Sequence, residues 1–149
     1  MANRIYWDSN AFLAWLQNET EREAACRDTL DAAHRGDFLI VTSALTLTEV
    51  LWLRGSPRLT EEKAELLNRF FRRSSMRVVN LDRKVAQRSQ RLVWESGIRP
   101  KDSIHVATAL QYECPVLETF DGPLIAKGLD LEKIEIREPQ PAAQGTLGV

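Results

Sequence analysis

The sequence predicts an α/β fold in which helices cover both faces of a parallel sheet. Strand-length apolar segments alternate with segments whose apolar residues recur at helical spacing, and Phe38 to Val41 is apolar throughout, as expected of a strand buried on both faces. Strands that alternate with helices are typical of parallel sheets. The length of 149 residues fits one domain over residues 1–137, followed by a flexible tail over 138–149 that contains two prolines and two glycines.

The first half of the chain is expected to hold two strands and three helices. In order, we expect a strand over 4–7, a helix with Phe12, Leu13, Trp15 and Leu16 apolar, a helix from the capping box at Thr20 to Gly36, a strand over 38–41 and a helix over 44–53. Thr42 or Ser43 is the candidate cap of the last helix, and Gly55-Ser56-Pro57 ends it.

The second half is expected to hold three helices and three strands. In order, we expect a helix over 59–74, a strand over 76–80, a helix capped by Asp82 that ends near Gly97, a helix opened by Pro100, a strand over 115–119 and a last strand over 133–136. Asp121-Gly122-Pro123 follows the strand at 115–119 and has the composition of a turn.

Composition excludes several classes of protein. No apolar run is long enough to span a bilayer, and the first residues reach Asp8 too early for a signal peptide. Cys26 and Cys114 fit neither a disulfide framework nor zinc spacing. No glycine-rich dinucleotide loop or phosphate loop occurs. We therefore expect a cytoplasmic protein that does not associate with membranes.

Charge is unevenly distributed along the chain. Residues 54–101 contain 13 Lys and Arg against 5 Asp and Glu, a net charge of +8, and the remainder carries −9. A basic segment beside an acidic remainder fits a polyanion that is guided over an acidic, metal-binding cleft. The same charges are also compatible with ordinary solvated helix faces.

Four acids, Asp8, Glu49, Asp102 and Asp121, lie where a strand ends or a helix begins. Ligands of parallel α/β sheets bind beyond the carboxyl ends of the strands, so all four can meet at one edge. Simpler explanations exist, because Asp8 and Asp102 could be helix caps and Asp121 part of a turn. Clustered carboxylates raise one another's pKa unless a cation neutralises them, and their oxygens suit Mg²⁺ or Mn²⁺. Together the four acids predict a metal-dependent active site.

Glu49 is the least easily explained of these acids. At helical spacing it shares a face with Leu45, Trp52 and Leu53, where desolvation disfavours a charged carboxylate. No Lys or Arg occurs within the preceding helical turn, and Arg54 is five residues on. A shared divalent cation would compensate the charge, and a distant arginine is the alternative.

Histidine and tryptophan offer weaker signals. His105 is expected to be a packed helix residue and His34 a solvated residue near a helix C-terminus, which leaves little for a histidine-based hydrolase. The four tryptophans are expected in the core or at an interface, since base stacking would require exposure.

The chain resembles a PIN-domain nuclease and, within that group, the small VapC-type toxins of bacterial toxin–antitoxin pairs. The resemblance covers roughly residues 4–136 and depends on four segments in this order: Ile5-Tyr6-Trp7-Asp8-Ser9-Asn10, the run from Thr42 through Glu49 to Leu51, the run from Arg99 through Asp102 to Leu110, and Leu117-Glu118-Thr119-Phe120-Asp121. It implies a three-layer α/β/α sandwich with a central parallel sheet.

The resemblance also implies a mechanism and site residues. Asp8, Glu49, Asp102 and Asp121 would be the acidic quartet that holds Mg²⁺ or Mn²⁺, with Asp8 and Asp102 as the most direct ligands and the other two acting through water. Thr119 and Asn10 would orient a carboxylate or a water molecule. A metal-activated water would cleave RNA to leave a 5′-phosphate and a 3′-hydroxyl. Many relatives carry a further acid two residues after the last Asp, where this chain has Pro123.

Three functions follow as hypotheses. The first is an endoribonuclease toxin that works as a homodimer and is held in check by an antitoxin protein. The second is a PIN-like module that binds RNA or protein without cutting, which the Pro123 departure favours. The third is a metal-dependent phosphatase, which would turn over a small phosphomonoester and act little on RNA. A phosphatase of the haloacid-dehalogenase type is disfavoured, because Asn10 stands where a second acid would follow Asp8 by two residues.

Overall fold

Five parallel strands form one sheet in a computed structural model that describes residues 3–17, 20–51 and 59–140. The strands are β1 (Asn3–Trp7), β2 (Phe38–Ser43), β3 (Met76–Val79), β4 (Val116–Glu118) and β5 (Glu135–Arg137). Their order across the sheet is β3-β2-β1-β4-β5. The central strand β1 pairs with β2 and β4, so that Ile5 lies between Ile40 and Val116. The predicted parallel sheet is confirmed.

Seven helices in the described residues connect and cover these strands. They are α1 (Ser9–Leu16), α2 (Thr20–His34), α3 (Ala44–Glu49), α4 (Glu61–Phe71), α5 (Arg83–Ser96), α6 (Pro100–Gln111) and α7 (Gly122–Gly128). Among the residues that the structure describes, no helix combines the length and apolar character needed to cross a bilayer. The two cysteines are buried and form no disulfide, as predicted.

Two apolar cores, one on each face of the sheet, confirm the three-layer sandwich. Successive strand residues face opposite sides, so neighbours in β1 enter different cores. Trp7 packs edge-on against Phe12, with the two ring centroids 5.0 Å apart, within the core that α1, α2 and α4 cover. Tyr6 enters the other core together with Val106 of α6 and Leu124 of α7. Each fully buried side chain of this size stabilises the fold by about 1.5–3 kcal/mol.

Capping residues define several helix boundaries as the sequence predicts. Asp82 accepts a hydrogen bond from the amide of Val85 at 3.0 Å and starts α5. Gly97 ends α5 with a φ of 65°, a left-handed conformation that glycine adopts without strain. Of the two candidate caps for α3, Ser43 makes the capping bond, to the amide of Leu45 at 3.1 Å.

The main departure from the sequence prediction is α7. Asp121-Gly122-Pro123 has the composition of a turn, one of the simpler explanations for Asp121, but Asp121 caps a helix whose first turn contains Pro123. Proline fits there because the first amides of a helix have no partner within it. The helix then packs closely on β5, since a Cβ on Gly128 would lie 2.7 Å from the Cβ of Ile136.

Smaller differences concern element ends and one tryptophan. The helix expected over 59–74 is shorter because Thr60 caps it, and the last strand begins at Glu135 rather than at 133. The expected continuation of α3 over Trp52 and Leu53 lies outside the described residues, as does most of the predicted tail, 141–149. Trp94 is neither in the core nor covered within the chain, because 88% of its surface is exposed.

Candidate active site

The carboxyl edge of the sheet carries the polar residues that the sequence singles out. Asp8 follows β1 directly, Thr119 follows β4 directly, and Glu49 ends the short helix α3 that begins directly after β2. Asp102 lies in the first turn of α6, and Asp121 caps α7. Parallel strands end at the same edge, which explains why residues far apart in sequence come together here.

Asp8 is a buried carboxylate at this edge. It caps α1, as the simpler explanation predicts, through a hydrogen bond from the amide of Ala11 to Oδ1 at 3.2 Å. Its other oxygen, Oδ2, accepts a hydrogen bond from the hydroxyl of Thr119 at 2.6 Å. Burial raises the pKa of Asp8 to about 6, nearby Asp102 adds to the rise, and His105 together with the two hydrogen bonds opposes it. A carboxylate that only caps a helix does not need to be buried to the extent that Asp8 is.

Thr119 connects Asp8 to Asp121. Its hydroxyl donates to Asp8 and accepts a hydrogen bond from the backbone amide of Asp121 at 3.1 Å. The side chain is completely buried, so both partners are held in fixed positions. The structure thus places Thr119 where a residue that orients a carboxylate must lie.

Asp102 and Asp121 lie on either side of one guanidinium group. Arg99 approaches Oδ2 of Asp102 at 2.9 Å and Oδ2 of Asp121 at 2.8 Å. Asp102 is not a helix cap, because Arg99 occupies the cap position of α6. Burial raises the pKa of the Asp102 carboxyl even though Arg99 opposes the rise, and the two carboxylates raise the pKa of Arg99. A cation already bridges these two acids.

Glu49 has a histidine as its partner. Its Oε1 lies 2.6 Å from Nε2 of His105, and Nδ1 of His105 lies 2.6 Å from the hydroxyl of Tyr6. Tyr6 also accepts a hydrogen bond from the amide of Ser43 at 3.1 Å. His105 is a packed helix residue, as predicted, with 2% of its side chain exposed. His105 is therefore the partner of the Glu49 carboxylate, for which the sequence offers no Lys or Arg within the preceding helical turn.

Asn10 and Pro123 stand apart from these contacts. Asn10 lies in the first turn of α1 with its side chain exposed, two residues after Asp8. Pro123 is exposed in the first turn of α7, two residues after Asp121. The structure therefore connects Asp8, Thr119, Asp121 and Asp102 through one set of contacts and pairs Glu49 with His105 in a second set, with Asn10 in neither.

A pocket of about 240 Å³ opens beside the acids. Its lining residues are Gly97, Ile98, Arg99, Asp102, Pro123, Leu124 and Lys127. The pocket thus combines apolar walls, from the buried Ile98 and Leu124, with the cationic side chains of Arg99 and Lys127. Such a lining can accept an anionic, partly apolar ligand next to the carboxylates.

The donor atoms at this edge suit a divalent cation chemically. Asp102 and Asp121 already share a cationic group, and the buried Asp8 gains from any nearby positive charge. Carboxylate oxygens are the ligands that Mg²⁺ and Mn²⁺ prefer. As the described side chains stand, no three His, Cys, Asp or Glu residues are arranged to hold one ion. Binding would therefore require Arg99 to move away and the carboxylates to turn.

The sequence did not single out Arg99 as a site residue, and it predicted only a packing role for His105. Both lie close to Asp102 in the sequence, Arg99 three residues before it and His105 three residues after it. Residues three apart on a helix share a face, so the position of His105 beside Asp102 on α6 was a usable signal. Arg99 precedes the helix, and only the fold shows that it also reaches Asp121.

Comparison with known proteins identifies the same architecture in characterised structures. VapC20 of Mycobacterium tuberculosis, a toxin that cleaves the sarcin-ricin loop, is 15% identical with a TM-score of 0.66, covering 83% of this chain and 95% of that one. DNA-bound VapBC from Salmonella typhimurium is 18% identical with a TM-score of 0.65, and the match covers 93% of this chain and 98% of that one. VapBC2 from Rickettsia felis, bound to promoter DNA, is 14% identical with a TM-score of 0.67, and the match covers 91% of this chain and 98% of that one.

The family assignment comes from the sequence. Comparison with curated protein sequences gives no match. The sequence model of the PIN domain matches residues 5–127, which include all four acids, the strands β2 to β4 and the last three residues of β1. This chain therefore belongs to the PIN domain family.

Proposed function

We propose that this protein is a metal-dependent endoribonuclease that hydrolyses RNA phosphodiester bonds, and that it is the toxin of a VapC-type toxin–antitoxin pair. One observation carries the proposal. In a PIN-domain chain, four acids from separate elements lie at the carboxyl edge of the sheet, where Thr119 and Arg99 connect Asp8, Asp102 and Asp121 and where His105 contacts Glu49.

The four acids would hold Mg²⁺ or Mn²⁺. Asp8 and Asp102 are the more direct ligands in this proposal, and Glu49 and Asp121 complete the acidic edge. When bound, a divalent ion would lower the pKa of a water molecule and neutralise charge on the phosphate. Thr119 holds the Asp8 carboxylate in one orientation through its 2.6 Å hydrogen bond. Asn10, at the rim, would contact a water molecule or the substrate.

The proposed substrate is RNA because cationic side chains lie next to the acids. Arg99 and Lys127 line the pocket beside Asp102 and would hold phosphates that neighbour the cut. Further cationic residues lie on α5, namely Arg83, Lys84, Arg88 and Arg91. Contacts of this kind give affinity that falls as salt rises.

The proposed partners follow from the proteins that share the fold. Two of the similar structures are VapBC complexes bound to DNA, and one from Klebsiella pneumoniae is a toxin–antitoxin complex. We infer that an antitoxin protein binds this chain and restrains its activity, that the chain forms a homodimer, and that it acts in the cytoplasm. Co-purification with the protein of a neighbouring reading frame, and the mass in solution, test the first two inferences.

Cleavage of RNA tests the proposed activity. The purified protein, free of any bound inhibitor, is incubated with mixed structured RNAs in Mg²⁺ or Mn²⁺ and then in EDTA. Asp8→Asn is the inactive variant, and Asp82→Asn is its matched control because Asp82 caps α5 at the surface and Asn is an equally good cap. We expect discrete fragments that require metal, persist in Asp82→Asn and fall more than about 100-fold in Asp8→Asn.

Two other results would contradict the proposal. Cleavage by a well-folded Asp8→Asn protein would remove Asp8 from the mechanism. No cleavage by the wild-type protein with either metal would favour the alternative, a PIN-like module that binds RNA or protein without cutting.

A further inference from the structure

His105 is a buried residue of α6 with a hydrogen-bond partner on each ring nitrogen. It lies on α6 one turn after Asp102, and its ring is buried between Tyr6 of β1 and Glu49 of α3. Both ring nitrogens have partners at 2.6 Å. A buried histidine requires hydrogen-bond partners, and here one of the two is a carboxylate of the candidate site.

One tautomer of a neutral His105 satisfies both contacts, and we assign that tautomer to the ring. Tyr6 accepts a hydrogen bond from the amide of Ser43, so its single hydroxyl proton is available for Nδ1 of His105. With Nδ1 acting as an acceptor, the neutral ring carries its proton on Nε2, and that N–H donates to Oε1 of Glu49. The order of donation runs from Ser43 to Tyr6, His105 and finally Glu49.

The contact restricts a side chain that is otherwise free to turn away. Glu49 is the last residue of α3, and 18% of its side chain is exposed. A glutamate has three side-chain torsions, and fixing them costs conformational entropy that a hydrogen bond from a rigid, buried donor can offset. The hydrogen bond uses Oε1, and no residue within 3–17, 20–51 or 59–140 forms a hydrogen bond with Oε2.

We propose that His105, held in one tautomer by Tyr6, is a positioning residue that fixes the Glu49 carboxylate among the acids of the site. The proposal rests on the proposed function, because it assigns His105 a task in the same site. It ties an acid of α3 to the helix that carries Asp102, across 56 residues of sequence. His105 itself touches neither metal nor RNA in this scheme and acts through Glu49.

Replacing His105 by Gln or Asn tests the proposal, because the two amide side chains place their N–H groups at different distances from the backbone. His105→Gln can place an N–H near the position of Nε2 and donate to Glu49, whereas His105→Asn is too short and replaces only the Nδ1 contact. His34→Gln is the control, because His34 is exposed at the end of α2. Each variant is measured for kcat and KM with RNA, for Mn²⁺ affinity by calorimetry and for melting temperature. His105→Asn is also combined with Glu49→Gln.

We expect His105→Asn to lower kcat by about 10–100-fold and to weaken Mn²⁺ binding while the KM for RNA stays unchanged. His105→Gln should recover most of the loss, and His34→Gln should match the wild-type protein. In the Glu49→Gln background, His105→Asn should lower kcat by less than about twofold, because the residue through which His105 acts is already impaired. A full, additive loss in that background would overturn the proposal, and so would equal defects in His105→Gln and His105→Asn.

Two possible complications do not remove the test. If His105→Asn fails to fold, Tyr6→Phe replaces it, since loss of the hydroxyl frees Nδ1 to take the ring proton and should produce the same non-additive loss with Glu49→Gln. If the wild-type protein cuts no RNA, the proposed function fails, and the Mn²⁺ affinities alone decide on His105. Non-additive affinities support the positioning role, and additive or unchanged affinities overturn it.

Discussion

The two halves of the candidate site are built differently. The inner half consists of two hydrogen-bonded groups of mostly buried side chains, Asp8 with Thr119 and Tyr6 with His105 and Glu49. The outer half consists of Arg99, Asp102 and Asp121, which are joined by ion pairs at the surface, with 65% of the Arg99 side chain exposed. Buried hydrogen bonds restrict side chains strongly, whereas exposed ion pairs contribute little and exchange readily.

This contrast indicates how a site for a charged ligand can be both ordered and accessible. The inner half keeps the carboxylates of Asp8 and Glu49 in place before any ligand arrives, which lowers the cost of organising the site. In the outer half, an arginine neutralises two carboxylates and can leave when another cation or a phosphate takes its place. Changes to the inner half should therefore affect catalysis and stability, and changes to the outer half should affect mainly binding.

Thr119→Val should lower both activity and stability, which makes it the broadest test of the inner half. Valine keeps the shape of threonine but removes the hydroxyl that contacts Asp8 and the amide of Asp121. We expect cleavage to fall by about 10–100-fold and stability by about 1–3 kcal/mol. Thr119→Ser keeps the hydroxyl and is the control. Kinetics and thermal unfolding measure both effects, and equal activity of the two variants would show that the hydroxyl has no role.

Asp8→Asn should stabilise the metal-free protein although it abolishes cleavage. The pKa of Asp8 rises from 3.8 to about 6 on folding, so burying the ionised form near neutral pH costs about 2–3 kcal/mol. Because the folded pKa lies above the unfolded value, this cost is full above about pH 6 and disappears below about pH 4. The stabilisation should therefore shrink with falling pH in denaturant unfolding. A variant that is less stable than wild type near neutral pH contradicts this expectation.

Arg99→Gln should have the smallest effect on the chemical step and on stability, and it should change metal binding as well as the affinity for RNA. The guanidinium lies where an incoming cation would meet Asp102 and Asp121, so its removal eliminates a competitor. We expect Mn²⁺ affinity to rise by at most about tenfold, with little change in melting temperature. Arg91→Gln, whose ion pair with Glu95 on α5 is also exposed, is the control. Weaker Mn²⁺ binding in Arg99→Gln would mean that the arginine supports the site instead of competing at it.

Much of this arrangement could be predicted from the sequence. Alternating strands and helices give the parallel sheet, and an acid directly after a strand or at the start of a helix must lie near its carboxyl edge. The helix α7 was missed because Asp-Gly-Pro suits both a turn and a helix start, and the choice depends on how Gly128 packs against Ile136. The pairing of Glu49 with His105 was missed because it joins helices 56 residues apart, and local periodicity carries no information about such contacts.

Metal binding by the wild-type protein tests the central claim most directly, namely that the four acids form one cation site. Calorimetry with Mn²⁺ would be carried out on the wild-type protein, Asp8→Asn and the surface control Asp82→Asn. We predict saturable binding to the wild-type protein and to Asp82→Asn, and a loss of more than about tenfold in affinity for Asp8→Asn. Equal affinity in all three proteins, or no binding to the wild-type protein at millimolar Mn²⁺, would contradict the claim.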